Sequence, residues 1–123
     1  MIEFLPSSNR KINQSLCAQA GIDYTPSIVA YLATERGEQI GFGIFAVEAG
    51  VVKVLYIPED EYLADILTRS GLNYAELRGI ESANFSQANH IDLLKKLNFV
   101  KQDINKDLPI AEALHSCKNC GKS

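Results

Sequence analysis

The chain has 123 residues, with 12 Lys and Arg against 15 Asp and Glu and a formal net charge of −3. Hydrophobic residues make up 46% and charged residues 22%, the balance of one globular domain with one core. That weakly acidic balance excludes the basic footprint of a protein that binds nucleic acid or an anionic membrane. No apolar run approaches the roughly 18 residues a membrane span needs. The start, Met1-Ile2-Glu3-Phe4-Leu5-Pro6, has neither the basic residues nor the apolar stretch of a signal peptide. The expectation is a soluble, cytoplasmic protein.

In chain order, Met1 to Leu5 reads as a short strand closed by Pro6. One of Ser7, Ser8 and Asn9 then caps a helix from Lys11 to Ala20, with Ile12 and Leu16 on one face and Gly21 as its stop. Ile28 to Thr34, Gln39 to Val47 and Val51 to Ile57 are three strands joined by short turns, an antiparallel meander. Within the second, Ile40, Phe42, Ile44 and Ala46 alternate with Gly41, Gly43, Phe45 and Val47. Asp60 caps a long helix to Arg78 whose stripe is Leu63, Ile66, Leu67, Tyr74 and Leu77. Gly71 inside it costs about 1 kcal/mol relative to Ala, and Gly79 ends it. A strand follows from Ile80 to Phe85. A second helix opens at Asn89-His90-Ile91-Asp92 and stops at Asn98. Phe99 to Ile104 reads as a last strand. Asp107-Leu108-Pro109 starts either a short helix through Leu114 or a strand paired with the previous one. The chain divides into a domain over 1–105 and a C-terminal extension over 106–123.

This order of elements resembles the GNAT superfamily of N-acetyltransferases, over nearly the whole chain up to about residue 105. Leu93-Leu94-Lys95-Lys96-Leu97-Asn98-Phe99-Val100 is similar to the family's closing segment, leucine-tyrosine-x-lysine-leucine-glycine-phenylalanine. Ile57-Pro58 stands where the family usually carries Val-x-Pro. The resemblance implies an α+β sandwich, a mixed and mostly antiparallel central sheet with helices on both faces. It also implies acetyl-CoA or CoA as cofactor and an amine as acceptor. The backbone N–H groups of Leu55, Tyr56 and Ile57, at the splayed end of the fourth strand, would then meet the thioester carbonyl or the pantetheine arm.

Two departures weigh against that chemistry. The family's glycine-rich pyrophosphate loop is replaced by Pro58-Glu59-Asp60-Glu61-Tyr62-Leu63, with no glycine and no basic residue. A like charge about 6 Å from a phosphate costs on the order of 3 kcal/mol at an effective dielectric of 20, before screening. The tyrosine that commonly protonates the departing thiolate is matched by Leu94, which transfers no proton, and the asparagine before that helix by Gln87. No catalytic residue is assigned. Tyr56, Tyr62 and Tyr74 are substitute acids only within hydrogen-bond reach of the thiolate, and each otherwise reads as a half-buried core residue. Glu48 and Glu81 are lone carboxylates, base candidates or plain surface residues. Gly41 and Gly43 weaken a strand unless a bulge or a close neighbour, such as a ligand, requires them. Cys17 reads as a buried core thiol.

The tail carries His115-Ser116-Cys117-Lys118-Asn119-Cys120-Gly121. His115, Cys117 and Cys120 offer three zinc ligands, with a fourth needed from Cys17, His90 or another subunit. A redox pair and an unpartnered terminus are the other two readings. Two functions therefore stand side by side. One is an acyl-CoA N-acyltransferase acting on an amine. The other is a degenerate binding or regulatory module that senses a small molecule in the cleft between the fourth and fifth strands, or dimerises through its tail.

Overall fold

The computed structural model describes residues 1–100 and 104–115. Two tight turns set the register of its centre. Arg36 and Gly37 (φ 54° and 81°) join β2 (Ile28–Glu35) to β3 (Glu38–Glu48), and Ala49 and Gly50 (φ 52° and 78°) join β3 to β4 (Val51–Tyr56). Paired positive φ values give a hairpin turn whose twist matches that of the strands. β1 (Ile2–Ser7) adds antiparallel to the outer side of β2. α2 (Glu61–Glu76) carries the chain across the sheet so that β5 (Ser82–Asn84) pairs parallel to β4, and β6 (Leu108–Pro109) closes the far edge antiparallel to β5. The result is a six-stranded, mostly antiparallel open sheet in the order β1-β2-β3-β4-β5-β6. The remaining helices are α1 (Arg10–Ala20), α3 (Ile91–Lys96) and α4 (Ile110–His115). No helix among the described residues is long and apolar enough to cross a membrane.

The alternation expected along β3 sorts the two layers. Phe42, Ile44 and Ala46 pack with Leu16 and Cys17 of α1 on one face, and Phe45 packs on the other with Val52, Val54, Ala64 and Leu72. Leu94 of α3 and Ile110 and Ala113 of α4 are buried in that second cluster, with Leu108 and Leu114 packed against it.

Several boundaries differ from expectation, each for a local reason. β1 runs on through Pro6 and Ser7, because an edge strand tolerates a proline. In α1, capped by Asn9, the buried stripe is Asn13, Leu16 and Cys17, and Ile12 is 42% exposed. In α2 the buried face is rotated to Leu63, Ala64, Leu67, Thr68, Gly71, Leu72 and Ala75. Leu77, already the C-cap of that helix, is 75% exposed. β5 has three residues rather than six, because its pairing with β4 ends at Lys53 and Asn84. Phe99 and Val100 are buried but irregular, and residues 101–103 lie outside the described residues. It is β6 that supplies the closing strand, followed directly by the short helix α4.

The rotation of α2 follows from one side chain. A Cβ on Gly71 would lie 2.3 Å from the Phe45 ring, and one on Gly43 would lie 3.2 Å from the same ring. The glycines therefore make room for the protein's own aromatic core. Gly41 is similar, its absent Cβ facing Leu63 at 3.1 Å, so no ligand is required to explain either strand glycine. Helix propensity alone predicts that Gly71→Ala stabilises by about 1 kcal/mol. Packing predicts the opposite sign, a net loss of about 1–3 kcal/mol in urea unfolding. The double variant Phe45→Leu with Gly71→Ala should lose less than the sum of its parts, and strict additivity would contradict the wedge.

Candidate functional site

The site region is created by a bulge. β3 and β4 pair Phe45 with Val54 and Ile44 with Tyr56, leaving Leu55 as the extra residue on β4. Neighbouring side chains normally alternate between faces, but here Leu55 and Tyr56 both pack with the α1-side cluster, while Val54 and Ile57 belong to the other. Tyr56 stacks on Phe42 at 4.8 Å between ring centroids. With β5 finished at Asn84, the end of β4 has no strand on its β5 side among the described residues.

A loop from 85 to 90 lies against that end. Asn84 shapes it: its Oδ1 accepts from the Ser86 N–H at 3.0 Å and from the Ser86 hydroxyl at 2.6 Å, and its Nδ2 donates to Asp107 at 2.9 Å. The loop brings Asn89 to Ile57. The Ile57 N–H donates to Asn89 Oδ1 at 2.9 Å, and Asn89 Nδ2 donates to the Ile57 carbonyl at 3.0 Å. Of the three backbone positions expected to hold a cofactor, Ile57 thus has both of its polar groups engaged within the chain. Asn89 does not cap α3, whose N-cap is His90 without a side-chain bond.

On the α1 face, next to the bulge, lies a cleft of about 290 Å3. Its floor is apolar, from Ile22, Ile28, Ala46 and Leu55, and its rim is polar, from Asp23, Thr25, Glu48, Lys53 and Gln87. Glu48 is not a lone carboxylate. It accepts from Ser27 at 2.8 Å and from Lys53 at 3.1 Å, and Ser27 shares a hydrogen bond of 2.7 Å with Thr25. The Ser27 bond, then the bond and charge of Lys53, hold the Glu48 carboxyl below its ordinary pKa. A carboxylate held ionised in this way is a poor base and a good fixed anchor.

The N-terminus of α2 is capped by its own residues. Asp60 accepts from the Leu63 N–H at 2.9 Å, its carbonyl accepts from Ala64 at 2.8 Å, and Glu61 pairs with Lys96 at 2.9 Å. Three carboxylates, those of Glu59, Asp60 and Glu61, gather at this helix start, which favours an anion only through its N–H groups. Leu94 is fully buried with no hydroxyl to offer. Tyr62 is 59% exposed on the first turn of α2. Tyr74 packs edge-on against Tyr31 at 6.0 Å and lies under the Arg78 guanidinium. Glu81 is exposed at the start of β5, with its carbonyl accepting from Ile110.

Cys117 and Cys120 lie outside the described residues, as does the side chain of His115. Cys17 is 1% exposed under α1, its pKa raised by burial, on the opposite face of the sheet from α4. Among the described residues no group of three or more His, Cys, Asp and Glu side chains is placed to hold a metal. No protein-family model matches the chain, and no curated protein matches it significantly.

The Ser27–Glu48–Lys53 chain makes a pH prediction. A carboxyl whose folded pKa lies below its unfolded one adds stability that is present above the unfolded value and lost as pH falls through the folded one. In an NMR titration the Glu48 carboxyl should therefore titrate below an ordinary glutamate. Ser27→Ala and Lys53→Met should each move it up, and an unmoved value in both would show that neither contact forms in solution.

Proposed function

We propose that the chain is a small-molecule-binding module on an acyltransferase-like sheet, and that it does not use acyl-CoA. The observation that carries this reading is the self-capped, carboxylate-lined start of α2. An acyl-CoA pyrophosphate brings negative charge to the same end of the same helix, where Asp60 already takes the N–H of Leu63. The occupied N–H of Ile57 and the apolar Leu94 point the same way. The residues present do not fit the cofactor.

The acyltransferase-like architecture itself is supported by the order of elements and by the pairing of β4 with β5 that ends at Lys53. What such a sheet keeps without the cofactor is the α1-side cleft. Its apolar floor suits the body of a small molecule. Lys53 has ammonium donors beyond the one given to Glu48, and Gln87 offers a carboxamide, so a polar end is fixed at the rim.

Two measurements test this. Acetyl-CoA at about 1 mM should leave the thermal midpoint unchanged, as should ADP. A ligand at 100 times its Kd would stabilise by about 2.7 kcal/mol, a shift of several degrees in a domain this size. A compound found by fragment screening should move the backbone NMR signals of Glu48, Lys53 and Leu55, and Lys53→Ala should weaken it by roughly tenfold, about 1.4 kcal/mol. Acetyl-CoA turnover, or a clear shift with acetyl-CoA, would overturn the proposal.

A further inference from the structure

We infer that the outward face of α2 is an interface with a second copy of this chain, formed by two α2 helices packed antiparallel across a two-fold axis. Apart from Met1, the most exposed large hydrophobic side chains among the described residues are Leu77 and Tyr62. They stand at opposite ends of this one helix, with half-buried Ile66 and Ser70 and exposed Asn73 between them. Tyr62, Ile66, Ser70, Asn73 and Leu77 follow at i, i+4, i+8, i+11 and i+15, a single stripe on the side away from the buried residues. A solvent-facing stripe normally carries charge. This one carries none, although the helix contains four charged residues. Each of those is turned sideways. Glu61 pairs with Lys96 of α3, Asp65 pairs with Arg69, Arg69 also donates to the Leu114 carbonyl of α4, and Glu76 lines a cavity with Pro109 and Ala111.

The order of the stripe identifies the partner. In an isologous contact, when residue i meets residue j, j also meets i. Laid antiparallel with Tyr62 opposite Leu77 of the second copy, the stripe maps onto itself. Ile66 then falls opposite Asn73, and Ser70 lies beside the two-fold axis. Each large apolar end covers the other, and the smallest side chain sits where the helices come closest. The core of a protein–protein contact is likewise depleted of charge and enriched in aromatic residues. The antiparallel arrangement sets the positive end of each helix dipole beside the negative end of the other. It also brings Arg78, exposed just past the C-cap Leu77, level with the acidic start Glu59-Asp60-Glu61 of the second copy. An unrelated partner would need none of this symmetry. One helix face supplies less than the about 800 Å2 per partner of a standard interface, so the dimer is weak and governed by concentration.

The test is sedimentation equilibrium of the full chain from about 10 μM to about 1 mM. Reductant and chelator are present, so that neither a disulfide nor a shared metal joins two chains. The weight-average mass should rise from one chain towards two. Tyr62→Glu and Leu77→Glu, both at exposed positions, should each weaken association roughly tenfold or more while leaving the thermal midpoint of the dilute protein unchanged. Arg78→Glu should weaken it as well, and adding Glu59→Lys should restore part of the loss. In the wild type, dilution should move the backbone NMR signals of Tyr62, Ile66, Ser70, Asn73 and Leu77 and leave those of β1 in place, a readout that needs no variant. A chain that stays monomeric across the range, or a dimer that neither Tyr62→Glu nor Leu77→Glu weakens, would overturn the inference. No recovery in the charge exchange would overturn the antiparallel pairing.

Discussion

The Phe45 ring, 1% exposed, is the fixed point of the molecule. It leaves β3 on the α2 face, is met edge-on by Tyr31, and fills the space that Gly43 and Gly71 leave by having no side chain. A ring locked between a strand and a helix sets both their separation and the helix's rotation. With Gly71 held over the ring, Leu63, Leu67 and Ala75 turn inward and Leu77 turns out. The start of α2 is placed by the same contact, and with it the carboxylates of Asp60 and Glu61. The electrostatic character of the region is thus inherited from the packing of one aromatic residue.

The bulge at Leu55 has the complementary role. Regular pairing would have sent Leu55 and Tyr56 to opposite faces. Both instead turn to the α1 side, one to the cleft and the other onto Phe42. On its other edge β4 pairs with β5 only as far as Lys53, and the backbone of Ile57 is met by a side chain 32 residues away. The cleft wall at Leu55 and the stacked pair are two results of one inserted residue.

Much of this was legible in the sequence. Gly37 and Gly50, in turns between β-branched runs, marked the meander, and the two alternating sets along β3, Phe42, Ile44 and Ala46 against Phe45 and Val47, fall in the two core clusters. Asp60 as a cap was readable from its place before an apolar period. Glu48 and Lys53 were within reach too, since the turn at Ala49-Gly50 sets them diagonally across one hairpin, with Lys53 opposite Ala46. What was not legible depended on tertiary contact. Gly71 looked like a weakness in a helix because its reason, Phe45, lies 26 positions earlier in the chain. Asn89 looked like a helix opener because asparagine before an apolar run usually is one, and no local pattern announces a bond to Ile57. The length of β5 follows from where its pairing with β4 ends, at Lys53 and Asn84, which composition does not record.

The outer strand β1 has a bearing on how the protein behaves when crowded. Unpaired on its outer side among the described residues, it carries Ile2, Phe4 and Leu5, the last 57% exposed, a sequence that invites another chain to extend the sheet. Pro6 has no N–H to give an incoming strand, and Glu3 brings a charge that two copies would have to juxtapose. At the other end β6 is only two residues long, too short to template a ribbon. The open sheet is therefore guarded at both margins against fibrillar growth, by a ring and a charge on one side and by brevity on the other.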